Sequence, residues 1–303
     1  MSVDSDADTG EFRLPPVPPR PESGSSRVQV EFGGLSHQGR VRPNNEDHFL
    51  VARFDRTMSP LRTNLPAGTV PESYAETVYG MLVADGMGGA AAGEVASRTA
   101  ISALMDLVLE TPDWIMRLDE ERARQVLRRL EQRFARIRET LVERARTDSR
   151  LSGMGTTLTL ACSLGAKLMI AHLGDSRVYL FRDAALRQLT RDQTVAQALA
   201  DAGAIRAEDV PKHHTRHILT GALSTKGSTA PVELHQLQLL DGDQILLCTD
   251  GLTEMVAERD ISGVLTRRES AEAACRRLVD LALSGGGKDN VTVVLGRYRL
   301  PEV

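Results

Sequence analysis

The sequence contains few cysteines and few aromatic residues. Only 3 of its 303 residues are Cys, and 4% are aromatic. Three cysteines cannot form the disulfide framework of a small secreted protein, and without a Cys-x-x-Cys pair they do not form a zinc ribbon. We therefore expect a reducing compartment, and we assign Cys162, Cys248 and Cys275 to the packing of strands or a helix.

Long apolar segments are missing as well. No charge-free apolar run is long enough to cross a bilayer, which takes about 20 residues. The first residues, MSVDSDADTGEF, are acidic, whereas a signal peptide begins with basic residues followed by an apolar stretch. These features predict a cytoplasmic protein without a membrane partner.

An excess of basic residues is also lacking. The chain has 41 acidic and 37 basic side chains, and its net charge is -4. A general nucleic-acid binder draws its affinity from an excess of Lys and Arg, so nucleic acid is not expected as a partner. The charge is still compatible with the binding of an anion by one or two residues.

The chain is predicted to consist of a leader and one domain. Residues 1–26 are first acidic and then rich in Pro, Gly and Ser, a composition that buries too little apolar surface to fold. We interpret them as a solvated leader rather than as a ligand for a proline-binding groove. No change of composition divides the remainder, so residues 27–303 are expected to form a single domain.

Apolar periodicity predicts both strands and helices. Alternating apolar residues favour strands, and spacings of three and four favour helices. The predicted strands cover residues 28–32, 47–51, 78–84, 156–163, 167–173, 177–181, 244–249 and 290–299, and the predicted helices cover 95–108, 118–146, 193–210 and 271–283. The three closely spaced strands after residue 156 predict an antiparallel meander. Pro and Gly predict an extended loop over residues 58–77.

Four aspartates stand where an apolar strand meets a turn. They are Asp47, Asp85, Asp250 and Asp289. One such Asp is usually a turn former that bonds its own backbone. Several carboxylates brought together would repel each other unless cations neutralised them, and a set of oxygen ligands selects Mg²⁺ or Mn²⁺. The pattern therefore indicates a site for hard cations.

The glycines beside two of these aspartates do not match the nucleotide-binding loops. In ADGMGG, Gly86 lacks a side chain and would let its carbonyl or a water approach a cation. The dinucleotide pattern Gly-x-Gly-x-x-Gly fails because Ala91 occupies its last position. Gly287-Lys288 is followed by Asp289, where an ATP-binding loop needs Ser or Thr.

Arg42 lies just before Asn45-Glu46-Asp47. Its forked guanidinium suits bidentate contact with a phosphoryl group held between metals. The alternative is a surface ion pair between Arg42 and Glu46.

Six segments in order resemble the motifs of the metal-dependent protein phosphatase 2C family in its bacterial form. They are RPNNEDHF (residues 42–49), VADGMGGAAAGEVAS (83–97), GMGTTLTLA (153–161), AHLGDSRVYLFR (171–182), LLCTDGLTE (246–254) and KDNVTVV (288–294). The resemblance covers residues 28–299. It implies an α+β fold, a four-layer α/β/β/α sandwich of two antiparallel sheets flanked by helices, with the site in a cleft at one end.

The resemblance implies roles for particular residues. Asp85 is similar to the carboxylate that bridges two cations, with the Gly86 carbonyl on one of them. The residues similar to the other ligands, direct or through water, are Asp47, Asp250 and Asp289. Asp175 resembles the residue that, with Asp250, holds a third and weaker ion.

Three further positions match residues that surround the metals in this family. Glu46 and Asn290 resemble partners that orient the ligands. Arg42 matches the arginine that binds the phosphoryl group.

The implied activity is that of a hydrolase acting in signal transduction on phosphoserine and phosphothreonine proteins, the products of Ser/Thr kinases. A hydroxide bridging two Mn²⁺ or Mg²⁺ ions about 3.5–4 Å apart would attack phosphorus. We expect a monomer. The alternatives are a phosphatase-fold pseudoenzyme that only binds, and a partner-switching regulatory phosphatase.

The chain departs from the family pattern at three positions. Met87 stands where eukaryotic members often carry a His that protonates the leaving group. In the flap segment, Gly221 and Ser224 replace the usual Arg and Gly, which bears on substrate contact rather than on metal chemistry. The flap histidines His213, His214 and His217 are interpreted as solvated rather than as a metal site.

Overall fold

The computed structural model describes residues 28–88, 92–110, 120–226 and 230–300, without the side chains of 120–124. The predicted leader, residues 1–26, lies outside the described residues. So do residues 89–91 of the glycine-rich turn.

The described residues form twelve strands and six helices. In chain order the strands are β1 (Gln29–His37), β2 (Asp47–Met58), β3 (Tyr74–Met87), β4 (Gly155–Thr156), β5 (Leu158–Leu164), β6 (Lys167–Leu173), β7 (Arg177–Arg182), β8 (Ala185–Gln188), β9 (Leu223–Ser224), β10 (Glu233–Gln238), β11 (Gln244–Cys248) and β12 (Val291–Arg299). The helices are α1 (Ala92–Glu110), α2 (Glu120–Thr147), α3 (Val195–Asp201), α4 (Asp250–Thr253), α5 (Glu258–Leu265) and α6 (Ala271–Ser284).

The strands form two antiparallel sheets. The five-stranded sheet has the order β1-β12-β11-β7-β8. The seven-stranded sheet has the order β10-β6-β5-β3-β4-β9, and β2 pairs with β3 along its whole length. The first and last strands, β1 and β12, are neighbours, which closes the fold across the whole described chain.

The seven-stranded sheet is buried on both faces. Successive side chains of a strand point to opposite faces. On β3, Leu82 and Ala84 pack against apolar side chains of α1 and α2, whereas Met81 and Val83 pack between the two sheets. This explains why residues 78–84 form a continuous apolar run rather than an alternating one.

The five-stranded sheet is buried in the same way. On β11, Ile245 and Leu247 lie between the sheets, while Leu246 and Cys248 contact the apolar faces of α5 and α6. Helices therefore cover both outer faces, and the fold is the α/β/β/α sandwich that the family resemblance implies.

The apolar stripe of α2 packs against the seven-stranded sheet. Val126, Leu130, Phe134, Ile137 and Leu141 are at most 7% exposed and belong to the core under that sheet. Their spacing of three and four residues places them on one face of the helix. The helix predicted over residues 118–146 thus packs with its apolar face on a sheet.

The predicted meander after residue 156 is wrong in its last strand. β5 and β6 pair as expected, but β7 lies in the other sheet between β11 and β8. The reason is that β6 already has a second neighbour, β10, so the chain crosses between the sheets at residues 174–176. Strand periodicity reports burial and does not identify the partner strand.

Two element boundaries also differ from prediction. β2 continues to Met58, and β3 begins at Tyr74. The loop between them is therefore shorter than predicted. The helix predicted over residues 193–210 ends at Asp201, because Gly203 has a φ of 71°, in the left-handed region. A 3-10 turn, Ala207–Lys212, follows.

All three cysteines are free, and two are fully buried, as their assignment to packing predicts. Among the described helices, none is long and apolar enough to cross a membrane.

Candidate metal centre

The five predicted aspartates meet at one end of the sandwich, although they lie on different segments. Asp47 begins β2 and stands directly opposite Asp85 in the β2–β3 register. Asp250 follows β11 as the first residue of α4, and Asp289 precedes β12. Asp175 lies in the crossing between β6 and β7. Both sheets thus contribute carboxylates to the same cleft.

Eight of the predicted site residues line this cleft: Arg42, Glu46, Asp85, Gly86, Asp175, Asp250, Asp289 and Asn290. Asp47 lies beneath it and is 4% exposed.

The carboxylates raise each other's pKa. Burial and then the negative charges of Asp47 and Asp250 raise the pKa of Asp85 well above its usual value. Burial and then the negative charge of Asp175 likewise raise the pKa of Asp250 well above its usual value. Burial raises the pKa of Asp47 and of Asp175 to about 7. Without cations the ionised cluster is therefore unfavourable.

The surroundings of the Asp47 carboxylate show whether the residues of this cluster fit a cation. Its Oδ2 accepts a hydrogen bond from Thr249 Oγ1 at 2.8 Å, whereas Oδ1 has no partner. Within the described residues, Asp47 Oδ1 is the one buried side-chain nitrogen or oxygen atom without a hydrogen bond. Such an atom needs an explanation, and a hard divalent cation supplies one. The site therefore fits Mg²⁺ or Mn²⁺.

Gly86 allows three backbone segments to meet. A methyl group at this position would overlap the carbonyl of Gly93 in α1 and would crowd the carbonyl of Glu46. The Gly86 N–H donates to that same Glu46 carbonyl at 3.2 Å. The close approach of backbone explains the glycine here, and a contact between its carbonyl and a cation stays a prediction.

Arg42 pairs with Asp289 and not with Glu46. Its Nη2 lies 2.5 Å from Asp289 Oδ2, and 55% of the Arg42 side chain is exposed. The hydrogen bond to Asp289 raises the pKa of Arg42. The guanidinium is thus held at the edge of the carboxylate cluster, where it can also meet an anion in the cleft.

Asn290 orders the loop that carries Arg42 and Glu46. Its Oδ1 accepts from the Glu46 N–H, and its Nδ2 donates to the carbonyls of Gln38 and Asn44, each at 2.8 Å. Burial raises the pKa of the Glu46 carboxyl, and the charge of Arg42 opposes this shift. The Asn290 side chain therefore bonds the backbone of this loop, while the Asn290 N–H donates to Asp289 Oδ1 at 2.8 Å.

Hydroxyl groups around the aspartates were missed by the sequence reasoning. Thr249 bonds Asp47, and Thr157 Oγ1 accepts from the Asp85 N–H at 3.0 Å. Thr157 also bonds Ser176 at 3.0 Å. These residues lie in otherwise apolar strands or directly beside a predicted ligand, which is the signal that would have identified them.

His217 reaches the cleft from the flap segment. Its side chain is 45% exposed, as the solvated interpretation predicts, and its Nδ1 also lies 2.8 Å from Glu254 Oε1. His217, Asp250 and Glu254 each offer a ligand atom, and these atoms lie within 4.8 Å of one another. The rings of His213 and His214 instead contact each other, with centroids 4.4 Å apart and planes tilted by 36°.

Replacing Gly251 by Ala is expected to damage the site through the backbone. The new methyl group would overlap the Asn290 carbonyl and force α4 away from the start of β12. We expect a loss of about 3 kcal/mol in the free energy of unfolding and weaker Mn²⁺ binding. Urea denaturation and calorimetric titration measure these effects.

Gly263 in α5 supplies the control, because a methyl group there meets nothing within 4 Å. Gly263→Ala should raise the free energy of unfolding by up to about 1 kcal/mol, since Ala has a higher helix propensity than Gly. Equal stability of the two variants would contradict the proposed overlap at Gly251.

The sequence is similar to curated bacterial phosphatases. A family model described as Protein phosphatase 2C matches residues 72–282. Serine/threonine protein phosphatase PstP of Mycobacterium tuberculosis is 39% identical over 267 residues, which cover 88% of this chain and 44% of PstP. The chain thus spans less than half of that relative. Serine/threonine phosphatase stp of Listeria monocytogenes is 35% identical over 268 residues, 88% of this chain and 95% of stp.

Solved structures agree with the fold. The crystal structure of Mycobacterium tuberculosis PstP/Ppp has a TM-score of 0.71 at 34% identity, covering 88% of this chain and 98% of that chain. The catalytic domain of PstP in complex with 2 manganese ions has a TM-score of 0.70 at 32% identity, covering 90% of this chain and 99% of that chain.

Proposed function

The chain belongs to the protein phosphatase 2C family, and we propose that it is a metal-dependent protein phosphatase that hydrolyses phosphoserine and phosphothreonine. One observation carries the proposal. Five buried or cleft-lining aspartates surround one place, and a buried oxygen of Asp47 has no hydrogen-bond partner there.

Two Mn²⁺ or Mg²⁺ ions would be held by this cluster. Asp85 is the proposed bridging ligand, and Asp47, Asp250, Asp289 and the Gly86 carbonyl complete the set. The PstP catalytic domain with 2 manganese ions supports this number. When bound, such ions supply a water of lowered pKa and positive charge for the phosphoryl oxygens.

A third and weaker ion is proposed at Asp175 and Asp250. His217 and Glu254 stand close enough to Asp250 to take part. Glu46 and Asn290 support the ligands from the side of the Arg42 loop, since Asn290 binds three backbone groups of that loop.

The proposed substrates are proteins phosphorylated by Ser/Thr kinases, which gives the chain a role in signal transduction. We propose that residues 27–303 form the catalytic domain and that it acts as a monomer.

Arg42 is proposed to bind the phosphoryl group. Its exposed guanidinium faces the cleft beside Asp289 and offers the paired N–H groups that suit two phosphoryl oxygens. Arg42→Ala is expected to raise KM about 10-fold or more with a smaller effect on kcat, because the contact is present before and during the reaction. Steady-state kinetics with a phosphothreonine peptide measure both constants.

Arg40 is the control for this experiment. It is exposed, lies two residues away and does not line the cleft. Arg40→Ala should leave KM unchanged, whereas an unchanged KM and kcat in Arg42→Ala would remove Arg42 from the phosphate site.

The activity is tested directly with purified protein and Mn²⁺. We expect release of phosphate from a phosphothreonine peptide and from para-nitrophenyl phosphate, with loss of both reactions in EDTA. If the protein hydrolysed neither compound, the proposal would be overturned. If calorimetry then also found no bound Mn²⁺, the chain would be better described as a binding module with the phosphatase fold.

A further inference from the structure

The two carboxylate oxygens of Asp47 have different surroundings although both are buried. Oδ2 accepts a hydrogen bond from Thr249 Oγ1 at 2.8 Å, while Oδ1 has no partner. Asp47 stands opposite Asp85 at the start of the β2–β3 ladder. Whatever orients this carboxylate therefore decides which oxygen is left free beside the other acids.

Thr249 has only one direction in which to donate its hydroxyl proton. Its Oγ1 accepts a hydrogen bond from the Thr292 N–H at 3.0 Å, and its own N–H donates to the Thr292 carbonyl, also at 3.0 Å. The side chain is 0% exposed, so bulk solvent does not reach it. Because a backbone donor occupies one lone pair, the hydroxyl proton is available for Asp47 Oδ2.

The position of Thr249 is set by the sheet itself. It lies between the end of β11 and Asp250, and its backbone pairs with β12. The hydroxyl groups of Ser36 and Thr292 share a hydrogen bond of 2.7 Å, which links β12 to β1. The donor to Asp47 is thus attached to two strands of the five-stranded sheet, while Asp47 belongs to the seven-stranded sheet.

We infer that Thr249 is a positioning residue for the metal site, which fixes Asp47 in the orientation that leaves Oδ1 free for a cation. This inference rests on the proposed function. A partner that orients a metal ligand in this way usually contributes 10- to 100-fold to metal affinity. Thr249 Oγ1 meets the carboxylate cluster at Asp47 Oδ2, and the Thr292 side chain also interacts with that carboxylate.

Thr249→Val tests the inference because it removes the hydroxyl and keeps the shape. Titration calorimetry with Mn²⁺ should show a dissociation constant raised about 10-fold or more. Thr249→Ser keeps the donor and should stay within about threefold of the original chain. If Thr249→Ser binds Mn²⁺ as weakly as Thr249→Val, the methyl group and not the hydroxyl matters, and the inference is wrong.

A matched control separates metal positioning from general loss of stability. Thr159 is also 0% exposed, and its hydroxyl bonds His172 Nδ1 at 2.8 Å rather than a carboxylate. Thr159→Val should lower the melting temperature without changing the affinity for Mn²⁺. An equal loss of affinity in Thr159→Val and Thr249→Val would overturn the inference.

Thr249→Ala provides a second variant if Thr249→Val does not fold, and it should show the same weakening. Normal Mn²⁺ affinity in the folded Ala variant would refute the positioning role. The original chain reports separately on the proposed function, because it must bind Mn²⁺ and release phosphate in the same samples whatever the variants do.

Discussion

Replacing Asp85 by Ala is expected to lower turnover at saturating Mn²⁺ by at least about 1000-fold, which corresponds to about 4 kcal/mol in the activation barrier. Asp85 is the proposed bridging ligand, and the acids that interact with it are themselves proposed ligands, so none of them is free to replace it. The measurement is kcat with a phosphothreonine peptide over a range of Mn²⁺ concentrations.

The same variant is expected to remain folded. The pKa of the Asp85 carboxyl is raised by burial and by Asp47 and Asp250, so the ionised side chain is a cost to the metal-free protein. Asp85→Asn, which preserves the volume, should behave like Asp85→Ala in activity. Circular dichroism and thermal unfolding without metal test this point.

Asp106 offers a control on the exposed side of α1. Asp106→Asn should have the activity of the original chain. Activity within tenfold of the original in Asp85→Ala would show that Asp85 is not an essential ligand, and the site assignment would have to be abandoned.

The metal-free protein is expected to lose stability as the pH rises from 6.5 to 8. Asp47 and Asp175 have pKa values of about 7 in the folded protein, far above an unfolded Asp. Between these values the folded state binds protons that the unfolded state does not, so raising the pH through 7 destabilises the fold. We expect a loss of about 2 kcal/mol over this window from the two groups together.

The lower limit of the window reduces an opposing effect. Burial lowers the pKa of His172 and of His48, and these groups favour the folded state as the pH rises, an effect that is largest below the ordinary His pKa of about 6.5. Urea denaturation in EDTA at several pH values measures the trend. A free energy of unfolding that rises from pH 6.5 to 8 would contradict it.

Mn²⁺ should reverse the loss at pH 8. Ligands that bind only the folded state stabilise it by about 2.7 kcal/mol at 100 times the dissociation constant. Since cations and protons compete for the same carboxylates, the stabilisation by Mn²⁺ should be smaller at pH 6.5 than at pH 8. Asp85→Asn supplies the control, because it should respond less to both pH and Mn²⁺.

Residues at the ends of apolar strands were the predictable part of the site. Asp85 and Asp250 each follow a run of buried side chains and precede a glycine, so the sequence places them at an edge of a sheet. The partners of these residues were less predictable. Arg42 pairs with Asp289, 247 positions away, whereas local reasoning offered Glu46 as its ion-pair alternative.

The fold shows the same division. The periodicity of residues 177–181 indicates a buried strand, and β7 is one. It does not indicate that β7 belongs to a different sheet from β6, because both faces of both sheets are apolar and a strand can satisfy its burial in either. Only the pairing of β7 with β11 brings Asp175 into the cleft.

The sequence by itself determined the class of chemistry, because the family motifs and the strand-end aspartates are formed by consecutive residues and can be recognised without the structure. It also indicated which segments form buried strands, since a short apolar run is a feature of neighbouring residues. The tertiary structure alone decided how Thr249 and Asp47, 202 positions apart, share one hydrogen bond. Such a contact depends on strand order and on the packing of two sheets, and no local pattern encodes the distance between them.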